Sequence, residues 1–214
     1  MSEETVQVTK KYYDYISVGN RTKQVVYFVE QHDKLVHFEL FLEENPTTKT
    51  VVIVKNKKTA DELGDYLKQK NINAVVIHGN HRVSQHEDAQ KAFNANEINI
   101  LITTSKIYET LELTDIKTII NYDLPFDPTS YFKTLRAVDE LGESISFVNI
   151  DDEKMLDTIE FMMKYEIPKE ELEAFTHTPL PKADKSKKKK PRHKKKKQKV
   201  NPYVPVDPNN SIPN

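Results

Sequence analysis

Three polar positions sit at or just beyond the ends of short apolar runs, where parallel sheets commonly bind ligands. Asn56 and Gly79 each follow or end a Val-rich run, and Thr104 ends a third. Groups at such positions bind anions, and phosphate is the usual example. Glycine, which lets backbone N–H groups approach phosphate closely, occurs only four times in 214 residues. The sequence therefore predicts a sheet edge with few groups for binding phosphate, and it favours local capping at the strand ends as the role of Asn56 and Thr104.

A run of basic residues near the C-terminus is the second feature that can bind phosphate. Between Lys182 and Lys199 the chain has eleven lysines and Arg192 against Asp184, a formal charge of +11, while residues 1–181 carry −11. The residues expected to bind are Lys187, Lys188, Lys189, Lys190, Arg192, Lys194, Lys195, Lys196 and Lys197. The run has no aromatic residue, so binding to RNA or the ribosome is expected to be electrostatic and independent of base sequence. Shielding of the acidic body by the tail, and nuclear targeting in a eukaryote, are alternative interpretations.

The composition argues against metal, thiol and membrane chemistry. Cysteine is absent, which excludes disulfides and thiolate ligands. The seven histidines lack metal-ligand spacing, so we predict no metal site and interpret His78 as a scaffold residue at a strand end. No apolar run approaches the ~20 residues of a membrane span, and the charged N-terminus lacks the apolar core of a signal peptide. We therefore expect a cytoplasmic protein without membrane contact.

Five short apolar runs alternate with longer helical or loop segments. Each run is rich in Ile and Val and too short for a buried helix, which is typical of a strand buried on both faces. The runs are Val51–Val54, Ala74–Gly79, Asn99–Thr104, Thr118–Leu124 and Ser144–Ile150. This alternation is typical of βαβ units. We predict an α/β fold with a doubly wound, mainly parallel sheet and helices on both faces.

Further elements flank these runs. Gln24–Val29 is predicted as an edge or added strand of the same sheet. Residues 1–20 are predicted as an exposed lead-in that Tyr12, Tyr13 and Tyr15 anchor on the body. Amphipathic and capping patterns predict helices at His32–Glu44, Lys58–Lys70, Ser84–Ala95 with Ser84 as N-cap, Asp127–Glu140, Asp151–Tyr165 with Asp151 as N-cap, and Pro168–Phe175. The domain is expected to span residues 21–178, and residues 179–214 to form a disordered Lys-rich tail.

With the strands placed, the chain resembles the second, C-terminal RecA-like domain of DEAD-box RNA helicases. The resemblance runs through VVIVKNKKTADELGDYL, NAVVIHGN, EINILITT, TIINYDLP and SISFVNIDDE, and it covers about Gln24 to Pro168. The Lys-rich tail is similar to that of bacterial RhlE-like members. The resemblance implies a RecA-like fold of the P-loop NTPase type. No G-x-x-x-x-G-K-[ST] sequence occurs in the chain, so it is interpreted as an isolated and degenerate second domain.

Motifs that contact RNA in the family are partly retained. The resemblance implies RNA-backbone contacts by Asn56, which survives beside Val54 in place of an aromatic residue. It implies the same for the turn at Gly79 and for Thr104. A glutamine and an arginine that contact RNA in the family are replaced here by apolar and histidine side chains. The implied RNA-binding residues of the body are therefore Asn56, Gly79 and Thr104.

Motifs that act on the nucleotide are largely replaced. In the family's Thr-Asp motif, Ser105 replaces the aspartate. In the Ala-Arg-Gly-Leu-Asp motif, Glu109 replaces the arginine, Thr110 the glycine and Glu112 the final aspartate. In the arginine-rich motif that stabilises charge on the γ-phosphate, Lys133 and Thr134 replace the histidine and the first arginine, and Arg136 is the candidate for a residual arginine finger. Loss of such an arginine lowers the rate by about 10³–10⁵. Glu109 and Glu112 are expected to repel an anion, and no catalytic residue is assigned.

These patterns favour a pseudo-helicase, meaning a non-catalytic, helicase-derived module that is tethered to RNA or the ribosome by its tail and needs no cofactor. Two alternatives stay open. The chain could supply the second domain of a split ATP-dependent DEAD-box helicase, which would bind ATP together with a separate first domain. It could also be a protein-binding domain unrelated to nucleic acid. A split helicase needs arginines after Tyr131, and the sequence offers at most Arg136 there. Deletion of the tail distinguishes the RNA-tethered module from a protein-binding domain.

Overall fold

Parallel strands form one sheet in the computed structural model, which describes residues 14–45 and 49–179, with the side chains of 139 and 140 excepted. The strands are β1 (Lys23–Phe28), β2 (Thr50–Val54), β3 (Val75–Ile77), β4 (Ile100–Thr104), β5 (Ile116–Asn121), β6 (Val138–Val148) and β7 (Lys169–Glu170). Their order is β3-β4-β2-β5-β6-β1-β7, and every pairing is parallel. The predicted doubly wound sheet is confirmed, and the predicted tail lies beyond the described residues.

Helices cover both faces of the sheet. They are α1 (14–21), α2 (Lys34–Glu44), α3 (Lys57–Gln69), α4 (Val83–Asn94), α5 (Ser105–Tyr108), α6 (Pro128–Ala137) and α7 (Glu153–Met163). Val52 and Val54 of β2 pack in the core with α2 and α3, whereas Val51 and Ile53 pack with α4 and α5. Because both faces of the central strands are buried, these strands are apolar throughout. None of the described helices has the length and apolar character to span a membrane.

The described part of the N-terminal segment packs on the sheet. The sequence places residues 14–20 in an exposed lead-in, but they are helical and Tyr15 is buried. The Tyr15 ring stacks on Phe132 with 4.3 Å between the ring centroids. The predicted anchoring of Tyr15 is thus confirmed, and α1 shares a core cluster with α6 and α7. Tyr12 and Tyr13 lie outside the described residues.

Two helices begin within two residues of their predicted starts. Arg82, and not Ser84, is the N-cap of α4, and Gln85 Oε1 accepts a hydrogen bond from the Arg82 backbone N at 2.9 Å. Asp152, and not Asp151, is the N-cap of α7. Several neighbouring residues at each start have side chains suited to capping, and helix ends are the least determined part of such a pattern.

The C-terminal part of the fold departs further from the predictions. Residues 138–140, predicted to end a helix, begin β6 instead. The predicted helix over Pro168–Phe175 is wrong, because Lys169–Glu170 forms β7 and pairs with β1 at Val26. β1 is therefore flanked on both sides and is not an edge strand. Pairing with β1 outweighs the weak helical preference of this short segment.

The carboxyl ends of the parallel strands share one side of the sheet, which we call the carboxyl edge. The loops after β2, β3, β4 and β5 meet there. The N-terminus of α2, which follows β1, also lies at this edge. Its Asp33 Oδ2 accepts a hydrogen bond from the Thr178 backbone N at 3.0 Å, so the end of the described chain is held at the same edge.

Candidate functional site

An open cavity lies at the carboxyl edge, between the loops that follow β2, β4 and β5. Its volume is about 480 Å³, within the range of small-ligand sites. It is lined by Lys55, Asn56, Lys57, Thr104, Ser105, Lys106, Glu109, Pro125, Phe126, Asp127 and Ser130. The lining contains three lysines, several hydroxyl groups and the carboxylates of Glu109 and Asp127, so its formal charge is slightly positive. The structure thus brings together Asn56 and Thr104, two of the three body residues predicted to contact RNA.

A buried ion network supports the loops that line the cavity. Lys34, the first residue of α2, is fully buried. Its Nζ donates to the Tyr122 carbonyl oxygen at 2.8 Å and to Asp123 Oδ1 at 3.1 Å. It also lies 3.6 Å from Asp152 Oδ2. The charge of this lysine is therefore compensated by oxygens from the end of β5 and from the start of α7, which a buried cation requires.

The same two carboxylates fix Lys55 in the cavity wall. Asp123 Oδ2 accepts a hydrogen bond from the Lys55 backbone N at 3.2 Å. Asp152 Oδ1 lies 2.6 Å from Lys55 Nζ. That nitrogen also lies 5.1 Å from the centroid of the Phe126 ring, within the range of a cation–π contact. Lys55 is thus a positioned cation and not a freely moving surface charge.

The three predicted RNA-contact residues differ in what their side chains do. Asn56 is the N-cap of α3, and its Oδ1 accepts from the Thr59 backbone N at 2.9 Å. The capping interpretation therefore holds for Asn56. Thr104 occupies the N-cap position of α5, but its hydroxyl makes no capping hydrogen bond to the helix. Gly79 does not line the cavity, and a Cβ added there would meet Lys57 Cε at an ordinary 3.5 Å.

Glu109 is paired with Lys133 of α6. Its Oε2 lies 2.6 Å from Lys133 Nζ, and its Oε1 accepts from Ser130 Oγ at 3.1 Å. The hydrogen bond to Glu109 raises the pKa of Lys133. The residues that stand for the family's arginine and histidine therefore neutralise one another, and the repulsion expected from Glu109 is reduced. Glu112 does not line the cavity, and its backbone N donates to Gln90 of α4.

Helix α6 directs its remaining polar groups elsewhere. Thr134 is buried, and its hydroxyl donates to the Tyr131 carbonyl oxygen at 2.7 Å. Arg136, in the last turn of α6, forms an ion pair with Asp14 of α1. It is not among the residues that line the cavity. The family motif reads His-Arg-x-Gly-Arg, so with Lys133 at its histidine Arg136 stands at its glycine. The assignment of Arg136 as an arginine finger therefore stays a prediction without geometric support.

The histidines after β3 have structural contacts. His78 is buried, and its Nε2 lies 2.8 Å from Asp61 Oδ1. Its Nδ1 accepts from the Asn80 backbone N at 3.3 Å, so the ring holds the turn at the strand end. His86 Nε2 contacts the His78 carbonyl oxygen at 3.2 Å. Within the described ranges, no group of three or more His, Asp or Glu side chains is arranged to hold a metal ion.

Six residues that line the cavity were not identified from the sequence: Lys55, Lys57, Lys106, Pro125, Phe126 and Ser130. Lys55 and Lys57 could have been identified from the sequence, since cations beside an asparagine at a strand end are well placed to bind an anion. Lys106 has the same relation to Thr104. Phe126 follows a Leu-Pro pair at the end of an apolar run, and nothing in that spacing distinguishes an exposed ring from a core residue.

The sequence matches a known domain family. The model of the helicase conserved C-terminal domain matches residues 30–136. The probable ATP-dependent RNA helicase ddx41 of Dictyostelium discoideum is 28% identical over 136 residues, which are 62% of this chain and 20% of that protein. The chain therefore spans about a fifth of the length of this relative.

Solved structures of DEAD-box proteins share the fold. The Methanococcus jannaschii DEAD box protein has a TM-score of 0.67 at 26% identity, covering 80% of this chain and 49% of that one. Escherichia coli SrmB, solved with the regulator RraA, gives 0.65 at 17% identity and covers 74% and 98% of the two chains. Saccharomyces cerevisiae Dbp5, solved with RNA and ADP BeF3, gives 0.65 at 22% identity and covers 70% and 41%. The RhlE-like subtype stays a prediction.

The family match and the fold agree. The matched residues 30–136 make up half of the chain and contain the cavity-lining loops and nearly all of α6. The parallel sheet, the Asn56 cap and the buried His78 all lie in or beside the segments that first indicated the resemblance. The chain therefore belongs to the helicase conserved C-terminal domain family, in the RecA-like form found in DEAD-box RNA helicases.

Proposed function

We propose that this chain acts as a non-catalytic RNA-associated module. Its carboxyl-edge cavity contacts a phosphate backbone, and its basic tail supplies most of the affinity for RNA or the ribosome. ATP hydrolysis is lost. The module keeps the scaffold of a helicase domain and uses it for binding.

The arrangement of α6 supports the loss of hydrolysis. In the resemblance, this helix supplies arginines that stabilise charge on the γ-phosphate. Here Lys133 is bound to Glu109, Thr134 is buried, and Arg136 is paired with Asp14. In the described part of the chain, no arginine lines the cavity. A positioned arginine is worth about 10³–10⁵ in the rate of phosphoryl transfer.

The cavity retains groups that bind phosphate without activating it. Lys57 and Lys106 bring cations to the lining, Lys57 Nζ donating to Asn80 Oδ1 at 2.6 Å, and the Thr104 hydroxyl makes no capping bond. Hydroxyl groups, lysines and backbone N–H groups make most phosphate contacts in nucleic-acid complexes, and such contacts are independent of sequence. The similar protein Dbp5 was solved with RNA, which supports the same class of ligand here.

The tail supports association with RNA through charge. Its formal +11 contrasts with −11 for residues 1–181, so the body alone repels a phosphate backbone at long range. In the sequence the first tail lysine, Lys182, follows Thr178 by four residues. Thr178 is held at the carboxyl edge by Asp33. Binding of the tail lysines to RNA phosphates releases counterions, so the affinity for RNA should depend strongly on salt concentration.

A second function is favoured by exposed apolar residues at the same edge. Val83, at the start of α4, is 72% exposed, and Ile150, after β6, is 71% exposed. Exposed apolar side chains mark a protein-binding surface where they form one continuous patch. A separate first RecA-like domain is the partner that the split-helicase alternative requires, and ATP would then bind between the two domains.

Joining the chain to a first RecA-like domain separates the two functions. This domain is taken from a DEAD-box helicase, and the comparison protein is that helicase with its own second domain. The proposal predicts RNA-stimulated phosphate release at least about 10³-fold slower in the chimera. Rates of the same order in both proteins would contradict the loss of hydrolysis and favour the split helicase. Circular dichroism of the chimera controls for folding.

A further inference from the structure

Phe126 is an exposed aromatic ring on the short loop between β5 and α6. It is 79% exposed, whereas Leu124, two residues earlier, is fully buried. The loop has proline on both sides of the ring, at 125 and 128, which restricts its backbone. Asp127 Oδ1 accepts from the Thr129 backbone N at 3.0 Å and fixes the start of α6. The ring therefore projects from a loop with little conformational freedom to lose on binding.

One side of the Phe126 ring is oriented by a cation. Lys55 Nζ lies 5.1 Å from the ring centroid and is held there by Asp152 at 2.6 Å. The rest of the ring faces the solvent and the cavity. An aromatic ring with a face available and a fixed cation beside it resembles the stacking surfaces that bind unpaired bases.

Groups suited to phosphate line the same cavity. Thr104 and Ser105 contribute hydroxyl groups, and Lys57 and Lys106 contribute cations. Base and phosphate belong to the same nucleotide, so a site for both requires an aromatic ring and cations within one small cavity. The volume of about 480 Å³ suits a ligand of nucleotide size.

We infer that Phe126 stacks on an unpaired base of a single-stranded nucleic acid whose backbone lies along the cavity. The inference rests on the proposed association with RNA and adds a contact between Phe126 and a base. The base must be unpaired, because a paired base keeps both faces within the duplex. Stacking is tolerant of base identity, since every base has a π-face. The body thus prefers single strands, whereas the tail binds any polyanion.

Base dependence separates stacking from charge. Fluorescence anisotropy of the full chain compares a labelled single-stranded RNA with an abasic strand of the same length and charge, at one salt concentration. We expect the native chain to bind the base-bearing strand about fivefold or more tightly. Phe126→Ala and Phe126→Leu should remove that preference, the leucine variant because it keeps an apolar side chain without a π-face. Phe161→Ala, which alters a ring 75% exposed on α7, is the matched control and should keep the preference.

Tryptophan fluorescence gives a direct readout, because the chain has no tryptophan. Phe126→Trp should be quenched by the base-bearing strand and not by the abasic strand, while Phe161→Trp should respond to neither. Equal binding of both strands by the native chain, or a preference retained in Phe126→Ala, would overturn stacking and leave the RNA association standing. If Phe126→Leu keeps the preference that Phe126→Ala loses, an apolar contact replaces stacking and the inference fails. Absence of binding to either strand by the intact chain would refute both.

Discussion

Replacement of Lys34 by methionine tests whether the buried ion network stabilises the cavity. Methionine keeps an unbranched side chain of similar length and removes the charge. The substitution leaves Asp123 and Asp152 buried without the cation that lies 3.1 Å and 3.6 Å from them. Removing one partner of a buried pair costs about 3–5 kcal/mol. Lys55 still compensates Asp152 at 2.6 Å, so we expect a loss near the lower end, about 3 kcal/mol of unfolding free energy.

Urea unfolding followed by circular dichroism measures this loss. The midpoint should fall while the dependence on urea concentration stays unchanged, since the surface exposed on unfolding is the same. Lys58→Met is the matched control: its side chain is 85% exposed and, among the residues that the structure describes, pairs with Glu62, so its midpoint should not move. The double variant Lys34→Met/Asp123→Asn should lose less than the two single losses combined, because the two residues share one interaction. A Lys34→Met midpoint equal to that of Lys58→Met would refute the role of the network.

Other measurements address buried groups away from the cavity. Burial lowers the pKa of His37 from 6.5 to about 4, so the unfolded chain binds this proton first. The free energy of unfolding should therefore be constant above about pH 6.5 as far as this group is concerned, and it should fall by roughly 3 kcal/mol between pH 6.5 and pH 4. The His37→Leu variant should lack this fall when its unfolding is measured across the same range. Gly64→Ala places a Cβ 2.3 Å from Val76 Cγ2, so thermal unfolding should show a loss of about 1–3 kcal/mol that Val76→Ala partly relieves. Gly79→Ala has ordinary contacts and should leave the melting temperature unchanged; an equal loss in both glycine variants would contradict a steric cause.

The strands were predictable because the sheet is buried on both faces. β2 was expected at Val51–Val54 and spans Thr50–Val54, since a short run of Ile and Val between polar segments is typical of a buried strand. Local capping by Asn56 was also predictable, since an asparagine between a strand and a helix is a local signal. The sequence placed that cap at the strand end, and the structure places it at the start of α3. Such features depend on neighbours in the sequence and need no knowledge of the fold.

The features that the sequence did not reveal depend on distant contacts. β7 forms because β1 offers an unpaired backbone edge, which no pattern in residues 168–175 reports. Glu109 and Lys133 are far apart in sequence, and only the packing of α5 beside α6 shows that they neutralise one another. The pairing of Arg136 with Asp14 likewise joins α6 to α1, which are far apart in the sequence. The candidate site was therefore predicted at the level of its edge and two residues, while its electrostatics came from the tertiary structure.

Salt-dependent RNA binding by the intact chain, compared with a chain truncated after Pro181, tests the tail-tethered module. Neutralising a phosphate on a single strand contributes about −0.7 to the slope of log affinity against log salt. If about half of the tail's cations engage, the intact chain should show a slope of about −4. The truncated chain should bind far more weakly and with a shallow slope, while its melting temperature stays unchanged. Equal affinity and equal slope for the two chains, measured by fluorescence anisotropy with one labelled oligonucleotide, would contradict the tethering role of the tail.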